Sequence, residues 1–255
     1  MLLNENYLTW NRKFVEDHAV TAMGGYSYQS YRGEAWTAQN RNFVSDAFEY
    51  WNLGGGTNYQ AGSSSLNRWK LVSFYGRLNY SFRNKYMATF TGRYDGSSRL
   101  GSNDKWAFFP SGALAWNVTE ESFMKDVPVI SHLKVRGSYG SIGNTEIDAY
   151  SSLAKFSTSL SVINGNVVNA VRPTSVANSN LKWEHTTQLD IGIDIGLFKE
   201  RVILTADYYN KKTEDLLYQV PLPGYSGYAN MYQNIGSIRN RGFEFAVSTV
   251  NMRGK

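Results

Sequence analysis

Few residues in this chain have the types and spacing that chemistry demands. Three histidines, His18, His132 and His185, stand far apart and near the ends of the segments that carry them. They read as single polar residues. Asp190 and Asp194 fall on one side of an alternating segment and could mimic a carboxylate pair, but polar residues are expected on that side in any case. The run Gly54-Gly55-Gly56 does not lead from a strand into a helix, so it is not a phosphate-binding loop. The chain has no cysteine, which excludes a disulfide framework and a cysteine-ligated metal or cluster. No catalytic residue, metal site or cofactor is expected. The better ligand candidates are aromatic: Trp36, Tyr50, Trp51, Tyr59, Tyr225 and Tyr228 lie in long polar segments where they could stack on sugar rings. The plainer alternative is that they pack the segments against themselves.

The elements that must position these residues are strands. Between Trp183 and Leu217, Leu189, Ile191, Ile193, Ile195 and Leu197 take one side, and Asp190, Gly192, Asp194 and Gly196 the other. After Lys199-Glu200-Arg201, Val202, Leu204, Ala206 and Tyr208 share a face. Two period-two runs across a tight polar turn make a β-hairpin. Trp183 to Leu197 would extend about 50 Å at about 3.3 Å per residue, well beyond the roughly 20 Å of ordinary strands. A strand tilted about 45° crosses a bilayer in about 9–11 residues. A long strand, apolar on one side and polar on the other, is what a transmembrane β-barrel requires. Leu189, Ile191, Ile193 and Ile195 should face lipid, and Asp190 and Asp194 the lumen.

Composition agrees. Aromatic residues make up 15% of the 255, with Tyr 18, Phe 13 and Trp 7, and Gly 23 stands against Pro 5. Aromatic girdles at both bilayer interfaces would use that surplus; a soluble β-sandwich with an aromatic core is the alternative. Mean hydropathy is −0.41, and no run of about 18 apolar residues is present, so no transmembrane helix is encoded. The net charge of +5 is spread without a basic run, so nucleic acid is not expected. The amino terminus MLLNENYLTW has neither the basic region nor the apolar region of a signal peptide.

In chain order, strands are predicted over Leu2–Asn11, Val20–Tyr31, Lys70–Phe82, Tyr86–Tyr94, Trp106–Val118, Leu133–Gly140, Trp183–Leu197, Val202 onward and Ile235–Asn251: about nine. Asp95-Gly96-Ser97-Ser98 is expected to break the chain. The connections at Arg12–His18, Arg83–Lys85 and Lys199–Arg201 are short, and Thr119–Ser131 is intermediate. Those at Arg32–Arg68, Asp95–Lys105, Asn144–Lys182 and Lys211–Gln233 are longer, and three of them are expected to be irregular outer loops. Short and long connections alternate, as in outer-membrane barrels with short periplasmic turns and long external loops.

The stretches FYGRLNYSFRNKYMATFTGRYDGSSRLG at Phe74–Gly101, WAFFPSGALAWNVTEESFM at Trp106–Met124, LKVRGSYGSIGN at Leu133–Asn144, LKWEHTTQLDIGIDIGLFKERVILTADYYNKKTEDLL at Leu181–Leu217 and QNIGSIRNRGFEF at Gln233–Phe245 lie in one order. In them the chain resembles the SusC/RagA-type TonB-linked outer-membrane proteins of Bacteroidota. That resemblance implies an antiparallel transmembrane β-barrel of roughly 22 strands, filled by an amino-terminal plug and energised through the TonB complex. It implies import of an oligosaccharide or peptide with a SusD-type surface lipoprotein, against which the loop aromatics could also pack. Residues 1–255 then correspond to part of the barrel domain; no plug, TonB box or closing carboxy-terminal strand is recognised. Nine strands would leave two unpaired edges, so the chain is expected to be a piece of a longer transporter. A free-standing porin or a soluble all-β binding protein is the alternative.

Overall fold

A computed structural model describes residues 1–15 and 17–252. The chain forms β1 (Leu2–Phe14), β2 (His18–Phe43), β3 (Gly56–Phe82), β4 (Tyr86–Ser97), β5 (Trp106–Asn117), β6 (Ile130–Asn144), β7 (Lys155–Ile163), β8 (Asn166–Ser175), β9 (Glu184–Leu197), β10 (Val202–Glu214), β11 (Leu217–Pro221), β12 (Asn230–Asn234) and β13 (Ser237–Thr249). Nine strands make one antiparallel wall in the order β1-β2-β3-β4-β5-β6-β9-β10-β13. The remaining four form a small second sheet, β11-β12-β8-β7. The fold is all-β, as expected.

Directly paired residues lie on the same face of a sheet, so the register sorts the wall into two surfaces. One row reads Val20, Tyr80, Ala88, Leu114, Gly137, Ile191, Tyr208 and Phe243. The neighbouring row, on the other face, reads Thr21, Asn79, Thr89, Ala113, Ser138, Asp190, Tyr209 and Gly242. The apolar side chains lack protein cover: Leu114 is 64% exposed and Phe245 76%. On a soluble protein a surface of that size would drive association; against lipid it is the expected exterior. Leu189, Ile191, Ile193 and Ile195 belong to this apolar face, and Asp190 and Asp194 to the polar one.

Aromatic stacks border the apolar face at two levels. Phe82, Tyr86 and Trp116 stack near the short turns, and Phe74, Tyr94 and Trp106 near the opposite end. Trp106 and Trp116 share β5, about 33 Å apart at roughly 3.3 Å per residue. At a strand tilt of about 40° that projects to about 25 Å, the height of the apolar band of an outer-membrane barrel.

Short connections gather at one end: between Phe14 and His18, and at residues 83–85, 118–129 and 198–201. Arg83 and Asn84 adopt positive φ (51° and 54°), and Lys85 N–H donates to the Phe82 carbonyl at 2.9 Å. This is the type I′ turn that matches strand twist. The intermediate connection holds two 3-10 turns, Val118–Glu120 and Ser122–Met124.

The other end departs from expectation. Arg32–Arg68 is not an irregular loop: β2 and β3 continue as a paired ribbon from Gly33↔Asn67 to Phe43↔Gly56, with a register shift at Thr37/Gln39. Only residues 44–55 join them. Beyond Tyr31 and Lys70 no third strand flanks the ribbon among the described residues. Both its faces meet water, so nothing imposes the apolar/polar alternation by which strands are recognised; the backbone ladder holds it, with Asn40 Nδ2 donating to the Leu53 and Gly56 carbonyls near the tip, both at 2.8 Å. Asn144–Lys182 contains the β7–β8 hairpin, turned by Asn164-Gly165 with φ of 50° and 80°. Lys211–Gln233 contains the end of β10, then β11 and β12. The first turn is shorter than Arg12–His18, because β1 runs to Phe14 and β2 starts at His18. Asp95-Gly96-Ser97 continues β4 rather than breaking it.

The compact hydrophobic cluster lies under the outer connections, not within the wall. Leu100, Phe109, Ile147, Leu181 and Trp183 form it, with Leu71, Leu217 and Tyr232 packed around.

Candidate functional site

The polar face carries two charged networks. On β6, Arg136 donates from Nε to Asp194 Oδ2 on β9 at 3.0 Å. Its Nη2 crosses to Asp207 on β10, 2.7 Å from Oδ1 and donating to Oδ2 at 2.9 Å. The crossing passes over Gly192, the residue paired with both Arg136 and Asp207, where a Cβ would collide with both side chains. Glycine at 192 is therefore a condition of the bridge. Thr205 Oγ1 donates to Asp194 Oδ1 at 3.1 Å. Asp190 accepts from Gln188 Nε2 at 2.9 Å and from Ser138 Oγ at 3.4 Å. The two aspartates share a face as expected, yet each is committed to a separate hydrogen-bond set and they make no acid–base pair.

Nearer the outer end, Arg93 donates from Nε to both Asp95 oxygens at 2.8 and 2.7 Å and from Nη2 to Ser73 Oγ at 2.8 Å. Its guanidinium lies 5.6 Å from the Tyr75 ring, whose hydroxyl donates to Glu5 at 3.0 Å. Half-exposed pairs of this kind contribute about 0–1 kcal/mol each. Their effect is to hold the inner surface in one polar arrangement across β1 to β4 and β6 to β10.

Above this wall, residues 178–183 tie three outer connections together. Gly101 N–H donates to the Leu181 carbonyl at 2.8 Å, Asn103 N–H to Ser179 at 3.1 Å and Trp183 Nε1 to Lys105 at 3.0 Å. Asn234 accepts from Lys182 N–H at 2.9 Å and donates to the carbonyls of Lys182 and Asp215, both at 2.9 Å. Asn178 Nδ2 donates to the Tyr232 carbonyl at 2.9 Å. Leu181, fully enclosed, sits at the centre. Beneath lies a cleft of about 470 Å³ lined by Leu71, Arg93, Asp95, Phe109, Glu146 and Trp183 among others.

The aromatic candidates fall into two groups. Trp36 and Tyr59 lie on the β2–β3 ribbon and Tyr50 and Trp51 at its tip, all well exposed; Tyr50 and Trp51 touch, with ring centroids 4.6 Å apart. Tyr59 donates its hydroxyl to the Gly54 carbonyl at 3.3 Å. Tyr225 and Tyr228 lie on the connection between β11 and β12; Tyr225 is exposed and Tyr228 half-buried. Sequence reasoning missed Tyr75, Arg93, Arg136 and Asp207. The two-residue spacing of Arg93 and Asp95 puts them on one face, but the Asp95-Gly96-Ser97-Ser98 run reads in sequence as a break in the strand.

The histidines do not converge. His18 Nδ1 is 2.8 Å from the Tyr80 hydroxyl, His185 lies against Phe109 with centroids 5.8 Å apart, and His132 is on β6. Among the described residues no group of His, Cys, Asp or Glu could hold a metal ion. Gly54 and Gly55 end a 3-10 turn at the ribbon tip, and Gly56 opens β3.

Residues 3–253 match the family model of the TonB-dependent receptor-like β-barrel. The chain belongs to the TonB-dependent receptor family. Its members are β-barrels of the outer membrane, and the two-faced wall is a wall of such a barrel. The chain is 49% identical over 250 residues to TonB-dependent receptor P3 of Formosa agariphila, covering 98% of this chain and 25% of the relative. It is 42% identical over 188 residues to TonB-dependent receptor SusC of Bacteroides thetaiotaomicron, covering 70% of this chain and 18% of the relative. Among solved structures it is similar to the RagAB peptide importer in its closed-closed state, with TM-score 0.90, 28% identity, 99% of this chain and 28% of that chain covered. The chain thus spans about a quarter of the length of the curated relatives it matches.

Proposed function

We propose that this chain is one section of the barrel of a TonB-energised importer that takes up oligosaccharides or peptides with a SusD-type surface lipoprotein. The observation that carries this is the pairing of an apolar exterior with a charged, hydrogen-bonded interior, capped at one end by interlocked outer connections. The similarity to the RagAB peptide importer supports the peptide class. Residues 1–255 belong to the barrel domain; further strands close it to roughly 22 around a plug that couples to TonB. Closure is needed because unpaired edges in lipid leave backbone groups without partners, at several kcal/mol each. Trp36, Tyr50, Trp51, Tyr59, Tyr225 and Tyr228 contact substrate or lipoprotein outside the membrane.

Uptake is the test. Cells carrying the whole receptor should accumulate a labelled oligosaccharide or peptide in a manner that needs both TonB and a SusD-type surface lipoprotein. Passive, TonB-independent flux would show a porin instead.

A further inference from the structure

Arg99, in the outer connection after β4, differs from Arg93 and Arg136 in the wall below it. Arg93 and Arg136 are each bound to aspartates. Arg99 makes no ion pair among the described residues. Its Nη1 donates to the Thr145 carbonyl at 3.3 Å, its Nε is buried with no acceptor, and its Nη2 has no protein acceptor among the described residues. The guanidinium carbon lies 4.4 Å from the centre of the Trp69 ring, and Tyr31 stacks on Trp69 at 5.7 Å and 17°. Tyr31 and Trp69 pair across β2 and β3 in phase with the polar face, two and four residues outward of Gln29 and Ser73. The ladder therefore stands at the mouth of the wall, beside the cleft that Thr145 and Glu146 line.

A partly buried cation without a counter-ion is costly, and stacking on an aromatic face offsets only part of that. A carboxylate completes the site. The Nη side of the guanidinium can donate N–H bonds to the two oxygens of a carboxylate, and the half-buried rings of Tyr31 and Trp69 offer a surface for the flat face of a sugar or a peptide unit. We propose that Arg99, held on Trp69, is a subsite at the barrel mouth that selects carboxylate-bearing substrates. This rests on the import reading above and narrows its substrate class. An acidic sugar and an acidic peptide present the same group. Glu146, at the edge of the cleft, is the charge such a ligand must avoid.

The test is direct binding to the whole receptor in detergent, alongside uptake by cells. The probes are an oligogalacturonate against a neutral galactose oligomer of equal length, and a glutamate peptide against its glutamine counterpart. The acidic member of one pair should bind about tenfold or more tighter, as a charge-assisted bidentate contact warrants, and that preference should weaken with salt. Arg99→Gln should abolish the preference, Arg99→Lys should keep part of it, and Glu146→Gln should strengthen it. The last two retain a cation at position 99 and keep the test readable if Arg99→Gln fails to migrate as a heat-modifiable barrel. The pair that shows the preference identifies the source of the carboxylate. Acidic probes that bind no tighter than neutral ones, a preference that survives Arg99→Gln, or no binding by any probe would overturn the subsite. Preferential binding without uptake would uphold the subsite and refute the import reading; uptake indifferent to Arg99 would do the reverse.

Discussion

Replacing Gly192 by valine tests the inner bridge and the sidedness of the wall together. A Cβ at 192 would stand 2.7 Å from Arg136 Cζ, with Asp207 Oδ1 closer still. Ordinary contact begins near 3.4 Å, so the guanidinium must retreat by roughly 0.7 Å. That lengthens the 2.7 Å approach to Asp207 to about 3.4 Å, beyond the roughly 2.7–3.2 Å range of a hydrogen bond. The lost half-exposed pair costs about 0–1 kcal/mol, and forcing the extra atoms in costs about 1–3 kcal/mol. Loss of glycine's unfolded-state freedom returns about 0.5–1 kcal/mol. The net destabilisation should be about 1–2 kcal/mol. At Gly24, on the lipid face, nothing lies within 4 Å of a built Cβ, so Gly24→Val should be neutral or slightly stabilising. The assay is reversible urea unfolding of the folded whole receptor in detergent, followed by tryptophan fluorescence. Arg136→Met in the Gly192→Val background should cost less than Arg136→Met alone, with a coupling of about 1 kcal/mol. Strict additivity, or equal costs at Gly192 and Gly24, would refute the reasoning.

Ile193→Arg places a cation on the lipid face and should cost about 2–4 kcal/mol if Ile193 lies near the bilayer midplane, measured by unfolding in lipid vesicles. Leu181→Ala empties the enclosed centre of the outer cluster and should cost about 2–5 kcal/mol of local stability; hydrogen exchange should rise in residues 98–105, 145–183 and 215–236 and stay unchanged in the wall. Glu121, at the short-turn end, accepts from the Tyr86 hydroxyl at 2.6 Å and from Lys85 at 3.2 Å, which hold its carboxyl below the ordinary carboxylate range. A depressed folded-state pKa stabilises above the unfolded-state value and loses that contribution as pH falls through the folded-state value, so Glu121→Gln should flatten the acid side of the stability–pH curve. An unchanged acid limb would show that Glu121 is not the group responsible.

The amino-acid order by itself determined the membrane-spanning wall. Each strand there has lipid on one side and a polar interior on the other, and that contrast writes a period of two: Leu189, Ile191, Ile193 and Ile195 against Asp190 and Asp194. The local turn chemistry of Arg83-Asn84 was equally legible. The ribbon of Gly33–Phe43 with Gly56–Asn67 was not, because both its faces are wet and no alternation survives; its evidence is the backbone ladder between segments far apart in sequence. The β7–β8 hairpin did carry a local signal, Asn164-Gly165 between apolar residues, hidden in a segment whose overall polarity suggested an irregular loop. Only the tertiary structure decided which charges meet. Arg136 lies 58 residues from Asp194 and 71 from Asp207, and a register slip of one residue would turn each of them to the other face. The same holds for Leu181 and for Arg99 on Trp69: pairing across strands, not local propensity, brings them to the barrel mouth.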